Sequence, residues 1–183
     1  MVGNSTVLFV DDEHGVREAV KFIFIEDDSI ELLVAEDAAS GLELLESHNV
    51  DVLVSDYQLG GTNGLELMEQ ARQSSPDTVR ILISAKIGLE KVTDAFNSGL
   101  LSQFILKPWQ EDEELVSAVQ MAIRSRRVFL ESRRLASQFQ EVKEKVNLLE
   151  QAVMDTCAAI RYDSRAAADI KFLRDALGKR KGQ

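Results

Sequence analysis

Cysteine is nearly absent from this chain: Cys157 is the only one in 183 residues. No disulfide framework is possible, and a lone thiol agrees with a reducing cytoplasm, where it would pack as a small hydrophobe. Long apolar runs are missing too. None approaches the roughly 20 residues that span a bilayer. The opening segment MVGNSTVLFVDDE has no basic flank before its short apolar stretch, so neither a membrane anchor nor a signal peptide is expected. Basic residues are scarce in the first two thirds. Residues 1–123 hold 7 Lys and Arg against 23 Asp and Glu, a net charge of −16, while residues 124–183 hold 14 against 8, a net of +6. That split argues for two modules. Acids are interspersed among the bases of the second, which fits a solvated helix surface better than a nucleic-acid interface, so no nucleic-acid partner is expected.

What is present through residue 123 is an alternation of short apolar runs with amphipathic segments. Strands are predicted at Thr6–Val10, Leu32–Ala35, Val52–Ser55, Val79–Ile83 and Gln103–Leu106. Helices are predicted at about Val16–Ile25, Ala39–Ser47, Leu65–Gln73, Leu89–Ser98 and from Glu111 onward. The strands are rich in Val, Ile and Leu, as in parallel sheets buried on both faces. Five βα units with right-handed crossovers give a doubly wound three-layer α/β sandwich.

Beyond Glu111 neither proline nor glycine occurs before Gly178. Apolar residues Leu135, Phe139, Val142, Val146, Leu149 and Val153 follow at intervals of 4, 3, 4, 3 and 4, the alternation of a heptad seam. Residues 121–160 as one helix would extend about 60 Å. Alone it would expose that stripe, each large side chain forgoing roughly 1.5–3 kcal/mol of burial, so a coiled-coil homodimer through 121–160 is expected. Val at a with Leu149 at d favours two strands, and Lys145 can pair with Glu150 of a parallel partner. Residues 161–183, with Ala166, Ile170, Leu173 and Leu177 at helical spacing, are predicted as a short amphipathic helix with a frayed basic end.

The chemistry collects at the strand ends. Asp11 and Asp12 follow VLFV, Asp56 ends VDVLVS, Ser84 follows VRILI, and Lys107-Pro108 follows QFIL. The C-terminal edge of a parallel sheet is where such folds bind ligands. Each residue alone has a plain explanation: an acid pair after a strand often caps a helix, and Lys-Pro is a common loop entry. Their joint occurrence in order does not. Two carboxylates about 4 Å apart repel by roughly 4 kcal/mol at an effective dielectric of 20. Three gathered acids therefore call for cations, Lys107 being one and Mg²⁺, which takes one or two carboxylates plus phosphate oxygens, the other. Asp56 would then be a nucleophile forming an acyl phosphate, with Lys107 and Ser84 binding the phosphoryl oxygens.

The motifs VLFVDDE, VSDYQLGGTNGLEL, LISA and FILKPW over residues 5–123 resemble the receiver domain of bacterial two-component response regulators. The resemblance implies a flavodoxin-like five-stranded parallel sheet of order 2-1-3-4-5, followed by the long C-terminal helix. It implies Asp56 as phosphoacceptor, Mg²⁺ bound by Asp12, Asp56 and the Gln58 backbone carbonyl with Asp11 acting through water, and Ser84 with Phe104 as a switch. A sensor histidine kinase is the implied phosphodonor, and the protein is a signalling switch rather than a turnover enzyme. The expected layout is a receiver at 1–123, a dimerisation helix at 124–160 and the short tail helix beyond. An alternative is the regulatory receiver of a larger cyclic-dinucleotide enzyme, because receivers ending KPW before a long helix resemble those preceding HD-GYP or GGDEF domains, and neither signature is present here. Leu59 and Gly60 stand where the family pattern has Met-Pro, so a looser loop after Asp56 is expected.

Overall fold

The structure, a computed structural model, describes residues 4–86, 88–109 and 111–178, with the backbone alone at 160–164 and 173–178. The strands are β1 (Ser5–Val10), β2 (Ile30–Ala35), β3 (Val52–Asp56), β4 (Gln58–Leu59), β5 (Thr62–Asn63), β6 (Val79–Ser84) and β7 (Gln103–Leu106). The helices are α1 (His14–Ile23), α2 (Ala38–Ser47), α3 (Gly64–Ser74), α4 (Leu89–Asn97) and α5 (Asp112–Gly178). Five strands form one parallel sheet in the order β2-β1-β3-β6-β7. Leaving aside the two-residue pair β4/β5, this is the expected 2-1-3-4-5 order.

Alternation along each strand divides the core. Val7, Phe9, Val52, Val54, Ile81 and Ile83 face one way, onto Val20 of α1 and Leu115, Val119 and Ile123 of α5. Leu8, Val10, Leu53 and Leu82 face the other way, onto Leu45, Leu67, Met68 and Ala95 of α2, α3 and α4. Period 2 in strands buried on both sides explains the near-continuous apolar runs.

Local signals set the helix ends. Asp37 caps α2, its carboxylate accepting from the Ser40 N–H at 2.8 Å, and Asn63 caps α3 by accepting from the Glu66 N–H at 3.1 Å. Gly99, at φ 69°, terminates α4 in a Schellman turn: its N–H donates to Phe96 O and that of Leu100 to Ala95 O, which needs the left-handed conformation glycine supplies.

The chain divides into two compact units, residues 1–131 and 132–183. The first runs past residue 123 because arginines on α5 grip the N-terminal edge of the sheet. Arg126 donates to Asp77 O at 2.9 Å and pairs with Asp51, whose other oxygen accepts from the Thr6 N–H. Arg127 donates to the buried Ser5 hydroxyl. In the second unit Leu135, Phe139, Val142, Val146, Leu149 and Val153 are all exposed, Phe139 at 72%. Helix α5 continues without interruption through the stretch expected to be a separate short helix, since nothing between Glu111 and Gly178 breaks it. The side chains of Leu173 and Leu177, and the basic end at 179–183, lie outside the described residues.

Candidate functional site

Strand register gathers the site. Val10 pairs with Ala35 and Ser55, Asp56 with Ile83, and Ser84 with Leu106, so the residues that end or follow β1, β3, β6 and β7 share one edge. Asp11 is fully buried and Asp56 only 6% exposed. Between them lies the Lys107 ammonium, 2.6 Å from Asp11 Oδ2 and 2.7 Å from Asp56 Oδ1. Burial pushes the Asp11 carboxyl above its ordinary pKa, and its hydrogen bonds from Lys107 and the Glu13 N–H offset that only in part. Burial works to lower Lys107, but its hydrogen bonds and charge interactions with Asp11 and Asp56 outweigh it and hold the ammonium above its usual value.

The other expected members are placed differently. Asp12 is exposed, its Oδ2 near Gly60 on the loop after Asp56. The Gln58 N–H donates to Asp56 Oδ2, at the limit of short hydrogen bonds. The Ser84 hydroxyl is buried and accepts from the Lys86 N–H at 3.2 Å, so in this conformation it serves its own loop. Phe104 is half-buried in β7 against the α2–α4 side of the core, apart from the charged group.

The loop after Asp56 is closed by backbone pairing. Gln58 pairs with Asn63 and Leu59 with Thr62 in a small antiparallel hairpin, with Leu59 buried and Gly60 at φ 61°. Gly60 supplies a left-handed turn residue here, which Pro could not.

Two contributors, Arg17 and Lys91, escaped the sequence reading, and a third, Gly64, stood in it only as part of the loop motif after Asp56. Arg17 on α1 donates to the carbonyls of Asp11 at 2.7 Å and Asp12 at 2.9 Å. Gly64 passes so close to the strand end that a Cβ there would lie 2.1 Å from Asp56 O, and its N–H donates to Tyr57 O. Lys91 of α4 donates to the Tyr57 hydroxyl at 2.9 Å. The spacing of Gly64 after the acid hinted at its part; nothing local marked the other two.

Among the described residues no three acids are gathered tightly enough to cage a metal ion. Asp11, Asp12 and Asp56 against Lys107 nevertheless leave two uncompensated negative charges on hard oxygen donors at one edge. That donor chemistry fits a cation such as Mg²⁺, which keeps several waters and needs only one or two carboxylates.

The chain is similar to known regulatory proteins. Over 118 residues it is 33% identical to the hydrogenase transcriptional regulatory protein HoxA of Bradyrhizobium diazoefficiens, covering 64% of this chain and 24% of that protein. Over 178 residues it is 26% identical to the alginate biosynthesis transcriptional regulatory protein AlgB of Pseudomonas putida, covering 97% of this chain and 39% of that one. The chain thus spans well under half the length of these curated relatives. Among solved structures, the signal receiver domain of an HD domain-containing protein from Pseudomonas fluorescens Pf-5 superposes with a TM-score of 0.65 at 27% identity, covering 72% of this chain and 95% of that one. The family model described as the response regulator receiver domain matches residues 7–120, and with the acids and lysine of the sheet edge in place the chain belongs to that family.

Proposed function

We propose that the chain is a phosphorylation-controlled switch whose phosphoacceptor is Asp56. The observation that carries this is the Lys107 ammonium held between the buried carboxylates of Asp11 and Asp56, in a domain whose family receives phosphoryl groups. A carboxylate oxygen of Asp56 attacks phosphorus of a sensor kinase's phosphohistidine. The new O–P bond forms as the N–P bond breaks, and the imidazole keeps the electron pair. Asp12, Asp56 and the Gln58 backbone carbonyl would hold Mg²⁺, with Asp11 acting through water; the ion would supply charge neutralisation on the transferring group. Lys107 stays close enough to pair with a phosphoryl oxygen. The Ser84 hydroxyl would leave the Lys86 N–H to donate to another, and Phe104 would follow into the space vacated.

Output would pass through α5. The exposed stripe from Leu135 to Val153 suits a second copy of this chain, making a homodimeric coiled coil whose geometry responds to phosphorylation. The protein would work in the cytoplasm, in keeping with a described chain in which no helix is long and apolar enough to cross a membrane. Incubation with acetyl phosphate and Mg²⁺ tests the acceptor. Intact mass should rise by one phosphoryl group in the wild type and not in Asp56→Asn; full labelling of that variant would overturn the assignment.

A second reading has its own support in the receiver of the HD domain-containing protein. On it, this chain regulates a cyclic-dinucleotide enzyme domain of HD-GYP or GGDEF type. The reading frame past Gln183 discriminates the two.

A further inference from the structure

Arg17 is a charged residue at the site that neither the acceptor nor its cation accounts for. It projects from the first turn of α1, and its side chain is only 13% exposed. One guanidinium nitrogen donates to two consecutive main-chain carbonyls, Asp11 O at 2.7 Å and Asp12 O at 2.9 Å. Another approaches Glu36 at 3.6 Å, just beyond β2. Arg17 therefore contacts the backbone beneath the acid pair and not its carboxylates. The turn's other restraints fall on either side of Asp12: the Asp11 N–H donates to Ala35 O, the Glu13 N–H and Lys107 donate to the Asp11 carboxylate, and Glu13 O accepts from the Val16 and Arg17 N–H groups. Asp12 in particular is exposed, with its carboxylate beside Gly60.

We infer that Arg17 is a positioning residue for cation binding, holding the Asp11–Asp12 backbone so that both carboxylates present to one divalent ion. This rests on the phosphoacceptor reading and deepens it. Two physical effects oppose each other here, which makes the inference decidable. Arg17 is a positive charge near the cation's place, so on Coulombic grounds alone its removal should tighten Mg²⁺ binding. As a brace for the ligand backbone, its removal should weaken binding, because the ordering of the turn must then be supplied by the ion.

Titration calorimetry of the full chain with MgCl₂ separates them. Arg17→Gln should weaken Mg²⁺ binding about tenfold, about 1.4 kcal/mol, while phosphorylation by acetyl phosphate at saturating Mg²⁺ stays within about twofold of wild type. Arg17→Lys keeps the charge and reaches one carbonyl, and should fall between the two. Lys21→Gln, on the same helix and paired only outward with Glu18 among its described contacts, removes an equal charge and should leave binding unchanged or slightly tighter. Binding by Arg17→Gln that is unchanged or tighter overturns the inference. So does a loss matched by Lys21→Gln. Should Arg17→Gln melt below the assay temperature, the Arg17→Lys titration decides in the same way, wild-type affinity counting against the brace. A wild type that neither binds Mg²⁺ nor accepts phosphoryl would instead defeat the phosphoacceptor reading itself.

Discussion

Asp11 is a buried acid whose ionisation opposes folding. Its carboxyl is held above the ordinary value by burial, only partly countered by Lys107. The folded state therefore binds this proton more tightly than the unfolded chain, and ionisation of Asp11 costs stability at every pH above its folded pKa. As pH falls below that value the folded state takes up its proton and the cost shrinks, vanishing once the pH is also below the unfolded carboxyl's ordinary value. Asp11→Asn, which keeps an acceptor for the Glu13 N–H, should thus melt higher than wild type at pH 7 in metal-free buffer. The gain should shrink as the pH approaches 4, near the unperturbed carboxylate range. Thermal melts across pH 4–8 check this, and a variant less stable at pH 7 would contradict it. Lys107 has the opposite sign: with its value raised, its stabilisation is complete below about 10.5 and is lost only as pH rises through the folded value.

At the scale of elements, the tight crossing of α3 over the end of β3 decides how the loop after Asp56 is held. A methyl at Gly64 would meet Asp56 O at 2.1 Å and Ser55 Oγ at 2.9 Å, and the obstacle at Asp56 is backbone, which cannot rotate aside. Gly64→Ala should cost about 1–3 kcal/mol and also slow phosphorylation by displacing Asp56. Denaturant midpoints measure the first and acetyl-phosphate labelling the second; an unaltered midpoint would mean the crossing can open. The same scale explains the α4 link. Lys91 bonds the Tyr57 hydroxyl and lies 5.6 Å from the ring centroid, so the residue following Asp56 is tied to the helix after the Ser84 loop. Buried Arg80 ties the other end of α4, donating to Leu100 O at 2.8 Å and Gly99 O at 3.3 Å.

For the whole molecule the open quantity is the number of chains. The exposed seam, with Leu149 at 66% and Val153 at 61%, would return roughly 1.5–3 kcal/mol for each large side chain covered. That sum can offset the cost of association over three heptads. Sedimentation equilibrium of the wild type should therefore give a dimer, and adding beryllofluoride, an acyl-phosphate mimic, should change its association constant or its sedimentation coefficient. A monomer in both states would refute the coiled coil. Replacing Val142 and Leu149 by Asn would then be without effect, whereas in a coiled coil it should dissociate the dimer.

Much of this protein was legible before any coordinates. Periodic apolar residues announced five βα units, because strands and helices impose periods of 2 and 3.6 on whatever they bury. Asp11, Asp12, Asp56, Ser84 and Lys107 could be assigned to one edge because a parallel sheet sends all its strand ends the same way. The lack of proline and glycine between Glu111 and Gly178 was visible as well, yet it was read as two helices where the fold has one. Contacts between residues distant in sequence were not legible. Lys107 stands 96 residues from Asp11, and only the register of β1, β3, β6 and β7 brings its ammonium between two particular oxygens while leaving Asp12 outside. Arg17, Arg80 and Arg126 look like surface charges in a linear reading. Folding turns each toward main-chain carbonyls, a choice set by three-dimensional proximity and the demand that buried polar groups be paired. The chain thus carries the site's residue types and their edge; tertiary packing selects which charges meet and which stay apart.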